Sequence, residues 1–122
     1  MVEKILKQRQ EKYGDFKHNV QKMEELSQSF ICTDPVPNIQ ILKFFLTLKM
    51  ARLIYLCNQN KIPPVEFLNQ TQEDSLLDLK GYALLIRQNY NTHKMQFVCS
   101  LIDDEATKIV KIKANALLKG VE

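Results

Sequence analysis

Asn38-Ile39-Gln40-Ile41-Leu42-Lys43-Phe44-Phe45-Leu46-Thr47-Leu48-Lys49-Met50-Ala51-Arg52-Leu53-Ile54-Tyr55-Leu56-Cys57-Asn58-Gln59-Asn60 is the stretch on which the fold turns. It contains neither Gly nor Pro, it opens on a good capping residue, and its apolar side chains surround nearly the whole helical wheel. A helix apolar on most of its surface is either the central helix of a bundle or part of an interface between subunits. Lys43, Lys49 and Arg52 interrupt the run, so it falls short of the roughly 18 uninterrupted apolar residues that mark a membrane span.

Working outward, Pro35 and Pro37 exclude helix before this segment, and Pro63-Pro64 end it. Upstream, Val2 to Tyr13 reads as a first helix that Gly14 breaks. Asp15 is placed to cap a second helix reaching to about Phe30, with Phe16, Val20, Met23, Leu26 and Phe30 on one stripe at helical spacing. Downstream, Val65 to Asn69 is expected to form a short helical turn. Thr71 followed by Asp74 resembles a capping box for a fourth helix over about 72–90.

From Met95 to Ile102 the apolar run is too short for periodicity to separate strand from buried helix. Asp103 is expected to cap a fifth helix to Lys119, with Ile109, Ile112, Ala116 and Leu117 inward. Lys108, Lys111, Lys113 and Lys119 would give that helix a solvated basic face. The expectation is one all-α domain over residues 1–122, a bundle of about five helices around 39–60, assembled as a homo-oligomer.

Composition narrows the function. A chain of 122 residues with 45% hydrophobic and 25% charged side chains can build a real core and is not a disordered segment. A net charge of +3 without a concentrated basic face argues against a nucleic-acid binder. Cys32, Cys57 and Cys99 form no Cys-x-x-Cys pair, and His18 and His93 have no ligand-spaced neighbour, so a zinc knuckle is not expected. An odd cysteine count without a signal-peptide pattern points to free thiols in a reducing cytoplasm, with Cys57 in the core and His18 on a helix surface. There is no nucleophile triad and no glycine-rich phosphate loop.

The charge-bearing candidates sit on two helices. Asp74 and Asp78 lie four apart, on one helix face, where like charges repel unless solvated or bridged by a cation. Two carboxylates one turn apart suit a hard ion such as Mg²⁺, although Asp74 also fits the first turn of its helix through the helix dipole. Lys49 and Arg52, three apart in the most apolar helix, must lie on a polar strip or be paired. Asp74 and Asp78 are their natural partners, and Arg52 offers a bidentate fork to phosphate. Tyr82, four after Asp78, shares that face, and Asp15 could join the cluster instead of merely capping.

The series Arg9, Tyr13-Gly14-Asp15-Phe16, Lys49-Met50-Ala51-Arg52 and Asp74-Ser75-Leu76-Leu77-Asp78-Leu79-Lys80-Gly81-Tyr82-Ala83 resembles a small family of phage and prophage domains of unknown function. The resemblance covers about residues 5–88 and leaves 89–122 as an extension. A more distant likeness is to the all-α nucleoside triphosphate pyrophosphatases of the MazG and dimeric dUTPase type. These are helical oligomers that bind Mg²⁺ through carboxylates on two helices. Here Asp74 and Asp78 resemble only the second half of that carboxylate set, and Lys49 and Arg52 stand where the first half would face them. With the residue reading above, the resemblance leads to the expectation of a phage-encoded cytoplasmic protein that binds a nucleotide or another phosphorylated ligand through the cluster Asp15, Lys49, Arg52, Asp74, Asp78 and Tyr82. Mg²⁺ would be held by Asp74 and Asp78. The alternative is a non-enzymatic factor that binds a host protein, the charged cluster serving only to fix helix packing.

Overall fold

The computed structural model describes residues 1–99 and 104–121. Its elements are α1 (Val2–Tyr13), α2 (Phe16–Ser27), β1 (Phe30–Cys32), α3 (Ile39–Asn60), α4 (Pro64–Gln70), α5 (Asp74–Asn89), a 3₁₀ turn (Thr92–Lys94), β2 (Met95–Phe97) and α6 (Glu105–Leu118). The fold is predominantly all-α, with one two-stranded antiparallel ladder.

The long apolar helix is central, as its sequence demands. α3 packs on α2, α5 and α6 and also meets α1 and α4. Leu46, Met50, Leu53 and Ile54 of α3 are fully or almost fully buried with Leu76, Leu79 and Ala83 of α5 and Val110, Ala114 and Leu118 of α6. Ala83 and Ala114 allow close approach of their helices to α3. Both are almost wholly buried, so enlarging either would overpack the core.

Several boundaries differ from the sequence expectation, each for a local reason. α2 stops at Ser27 because Phe30 leaves the helix to pair with Phe97 across β1 and β2, ring edge to ring face at 4.6 Å. Its stripe is accordingly divided: Leu26 and Phe30 are buried, while Phe16 and Val20 are exposed. The segment left open between strand and helix is strand over Met95–Phe97, and residues 100–102 of it lie outside the described residues. Residues 64–70 make a full short helix, with Pro64 at its first position, where its missing N–H does no harm.

The cap of α5 is Glu73, which accepts the Ser75 N–H at 3.2 Å, and not Thr71. Thr71 Oγ1 accepts the Glu73 N–H instead, so it orders the approach to the helix. Asp104 caps α6 by accepting the Thr107 N–H; Asp103, expected in that role, lies outside the described residues.

The inward face of α6 is in part the expected one, with Leu117 buried and Ile109 packed partly buried against the core. Val110, Ala114, Leu117 and Leu118 point to the core at spacings of 4, 3 and 1, and Ile112 is 53% exposed. Lys111 is the sharpest departure from the expected basic face. It is 1% exposed, and its Nζ donates to Ser29 Oγ at 2.6 Å. Burial is the main cause that pushes its pKa down, with Lys22 adding to the effect and Cys99 and Glu25 opposing it.

Candidate functional site

Three elements meet at a surface cleft of about 370 Å³. The C-terminal half of α1 contributes Arg9, Lys12 and Tyr13, whose spacing puts them on one helix face. The middle of α3 contributes Lys49 and Arg52, and the first turns of α5 contribute Asp74, Ser75 and Asp78. Gly14 sets the entry angle of α1. Its φ of +96° lies in the region open to glycine, and a Cβ there would stand 2.9 Å from Tyr55 Cδ2.

The cleft is a charge mosaic. Lys49 Nζ lies 2.9 Å from Asp78 Oδ2, and the lysine side chain is 13% exposed against 49% for the aspartate. The long lysine stem thus runs along apolar surface while its ammonium reaches the cleft. Arg52 does not join that pair. Its guanidinium carbon stands 5.0 Å from the Tyr13 ring centroid, a cation–π contact. The Tyr13 hydroxyl donates to Glu73 Oε1 at 3.2 Å, and Lys12 Nζ is 4.0 Å from Glu73 Oε2. The Tyr13 side chain, followed by Glu73, raises the Lys12 pKa, so this ammonium is firmly charged.

Asp74 is exposed in the first turn of α5, where its charge faces the positive end of the helix dipole. Among the described residues no hydrogen bond or ion pair holds it. The lining therefore carries four cations, Arg9, Lys12, Lys49 and Arg52, against two carboxylates, Asp74 and Asp78. Glu73 at the rim offsets Lys12.

Of the residues singled out by sequence, the fold brings Lys49, Arg52, Asp74 and Asp78 to this cleft. It does not bring Asp15 or Tyr82. Asp15 caps α2, its Oδ1 accepting the His18 N–H at 2.9 Å. The Tyr82 ring stacks on Phe45 with centroids 4.9 Å apart, in a separate apolar groove walled by Leu42, Leu85 and Tyr90. It shares a helix face with Asp78, but one turn further along that face the neighbours are apolar.

Arg9, Lys12, Tyr13 and Glu73 carry cleft geometry that sequence reasoning assigned to none of them. One signal was legible: α1 has a cation–aromatic face at positions 9, 12 and 13 and too few apolar residues to pack by itself.

The mosaic bears on metal binding. Among the described residues, no three side chains of His, Cys, Asp and Glu converge as a metal site. An ion between Asp74 and Asp78 would compete with Lys49 for Asp78 and would draw its other ligands from water or a bound phosphate.

Comparison with protein-family models, with curated proteins and with solved structures gives no match to the chain. Fold and cleft together define a small helical protein with a cation-rich surface site, and no helix among the described residues is long and apolar enough to cross a membrane.

Proposed function

We propose that the cleft between α1, α3 and α5 binds the phosphate group of a nucleotide or another phosphorylated small molecule. One observation carries this reading: the lining cations outnumber the lining carboxylates by two, and Arg52 is held by an aromatic ring with no carboxylate among the described residues paired to its N–H fork. A planar fork presented this way suits bidentate contact with phosphate. Lys49 and Arg9 would add charge, and Asp74 with Asp78 would orient the cations or share a Mg²⁺ carried in by the phosphate. The resemblance to phage helical domains and to all-α pyrophosphatases points the same way and would place the protein in a host cytoplasm. Binding is the proposed role: hydrolysis of the all-α pyrophosphatase type uses carboxylates on two facing helices, and here the helix facing Asp74 and Asp78 presents Lys49 and Arg52 instead.

The test is calorimetric titration of a nucleotide panel with and without Mg²⁺. Wild type should bind at least one member, and Arg52→Ala should weaken that binding about tenfold or more, the worth of one charge-assisted contact. Failure of correctly folded wild type to bind any nucleotide would sink the reading.

A second reading has its own support. The Lys49–Asp78 pair is already closed within one chain, as a purely structural cluster would be. On that reading the function lies in the apolar groove lined by Phe45 and Leu85, which are 38% and 55% exposed, as a docking surface for a host protein.

A further inference from the structure

The cleft has one wall that the fold scarcely holds. No residue of α1 is buried, and Val2, Ile5 and Leu6 are all exposed. A helix of 12 residues is marginal in water without packing. α1 therefore stays in place through its C-terminal end, and the contacts there belong to the cleft: Tyr13 to Glu73, Arg52 over Tyr13, and Lys12 near Glu73. Gly14 follows at once, with a backbone conformation that turns the chain sharply between α1 and α2.

The charges set the direction of the effect. Arg9 and Lys12 on α1 face Lys49 and Arg52 on α3 across the cleft. Like charges on opposing walls resist closure, and the nearby carboxylates Glu73 and Asp78 relieve this only in part. An anion between the walls would turn the repulsion into two attractions.

We infer that a phosphate dianion bridges α1 and α3, so that ligand binding and docking of α1 are one event. This rests on the phosphate-binding reading above and adds which part of the ligand is recognised and which element responds. The recognised group is the phosphate itself, and the responding element is α1 moving about Gly14. By linkage, whatever favours docked α1 tightens phosphate binding by the same factor. Val2, Ile5 and Leu6 continue the Arg9–Lys12–Tyr13 face toward the N-terminus at helical spacing, and the bridge itself needs only the cationic end of that face.

Amide hydrogen exchange of residues 2–13 tests the inference, with inorganic pyrophosphate as the probe and chloride at matched ionic strength as the control. With pyrophosphate at ten times its calorimetric Kd, exchange in α1 should slow about tenfold, because the ligand binds the docked form alone. Tyr13→Ala removes the contacts to Glu73 and Arg52. It should speed α1 exchange and weaken pyrophosphate binding, while exchange in α3 and α5 stays as in wild type and shows that the core is intact.

Pyrophosphate binding without slowed α1 exchange would overturn this inference and leave the binding site standing. The same holds if Tyr13→Ala binds pyrophosphate as wild type does. If neither pyrophosphate nor any nucleotide binds, the reading beneath it falls as well.

Discussion

Asp104 shows how one residue can tie stability to pH. Burial alone would raise its carboxyl pKa, but the backbone and side chain of Thr107 and the Lys22 ammonium, 3.3 Å away, more than offset this. Its folded pKa therefore lies below the ordinary carboxylate range. The folded state binds fewer protons than the unfolded chain as pH falls through that interval. The stabilisation from this group is complete above the unfolded value and is lost as pH falls through the folded one. Asp104→Asn keeps a competent cap and removes the charge. It should lower stability by about 0.5–1 kcal/mol at pH 7, an amount set by the dipole and the partly exposed Lys22 pair. The gap should close as pH falls from 7 through the lowered folded pKa, below which wild type is itself protonated. Urea midpoints of both proteins across an acid pH series measure it, and a gap independent of pH would contradict the assignment.

Lys111 illustrates the same scale from the opposite side. A lysine in a run of lysines reads as solvated, yet this one sits at 1% exposure against Ser29. Composition could not reveal it, because the choice among Lys108, Lys111 and Lys113 depends on the rotation of α6 about its axis.

Among the elements, α5 contains a glycine the fold does not need. Gly81 lies mid-helix on the exposed side, and a Cβ added there would meet nothing within 4 Å. Gly81→Ala should therefore stabilise the protein by about 0.5–1 kcal/mol through the unfolded-state entropy it removes. Gly14 is the counterpart: the same substitution there meets a positive φ and the Tyr55 ring, and should destabilise by about 1–3 kcal/mol. Thermal melts of the two variants should move in opposite directions.

The elements also show what could be read in advance. α3 was legible residue for residue, because twenty-two positions without a breaker leave no other reading. The α1–α2 corner was legible through Gly14 and Asp15, two residues whose conformational preferences are local. β1 and β2 were not, since a three-residue strand exists only by virtue of a partner 67 positions away, Phe97 opposite Phe30. The inward face of α6 was legible at Leu117, which is buried as expected, and not at Ile112: the small residues Ala106 and Ala114 mark much of that face, and a stripe sought through Ile112 points to solvent. For the cleft, positions 49 and 52 and positions 74 and 78 could be grouped by helical spacing. That α1 closes the third side is a tertiary fact, and so is the placement of Tyr82 among apolar neighbours.

Across the whole molecule, stability should be graded from the outside inward. Opening of α1 frees no buried side chain of its own, whereas separating α3 from α5 and α6 exposes most of the core. Local opening free energies follow the apolar area each motion uncovers. Native-state exchange should accordingly place α1 far below α3, with α3 approaching the global unfolding free energy. Equal protection of the two would contradict the packing described above.

Cys57 gives this gradient a chemical clock. Its thiol is 2% exposed at the centre of the fold, and burial, with a smaller contribution from Asp104, pushes its pKa up. Both effects suppress the thiolate that an alkylating reagent attacks. Cys99 is exposed and Cys32 half-buried, so they should be alkylated first. Swinging α1 away leaves Cys57 untouched. Its modification would then count whole-molecule openings one at a time, in the native protein and without denaturant, using a sulfur atom the core already contains.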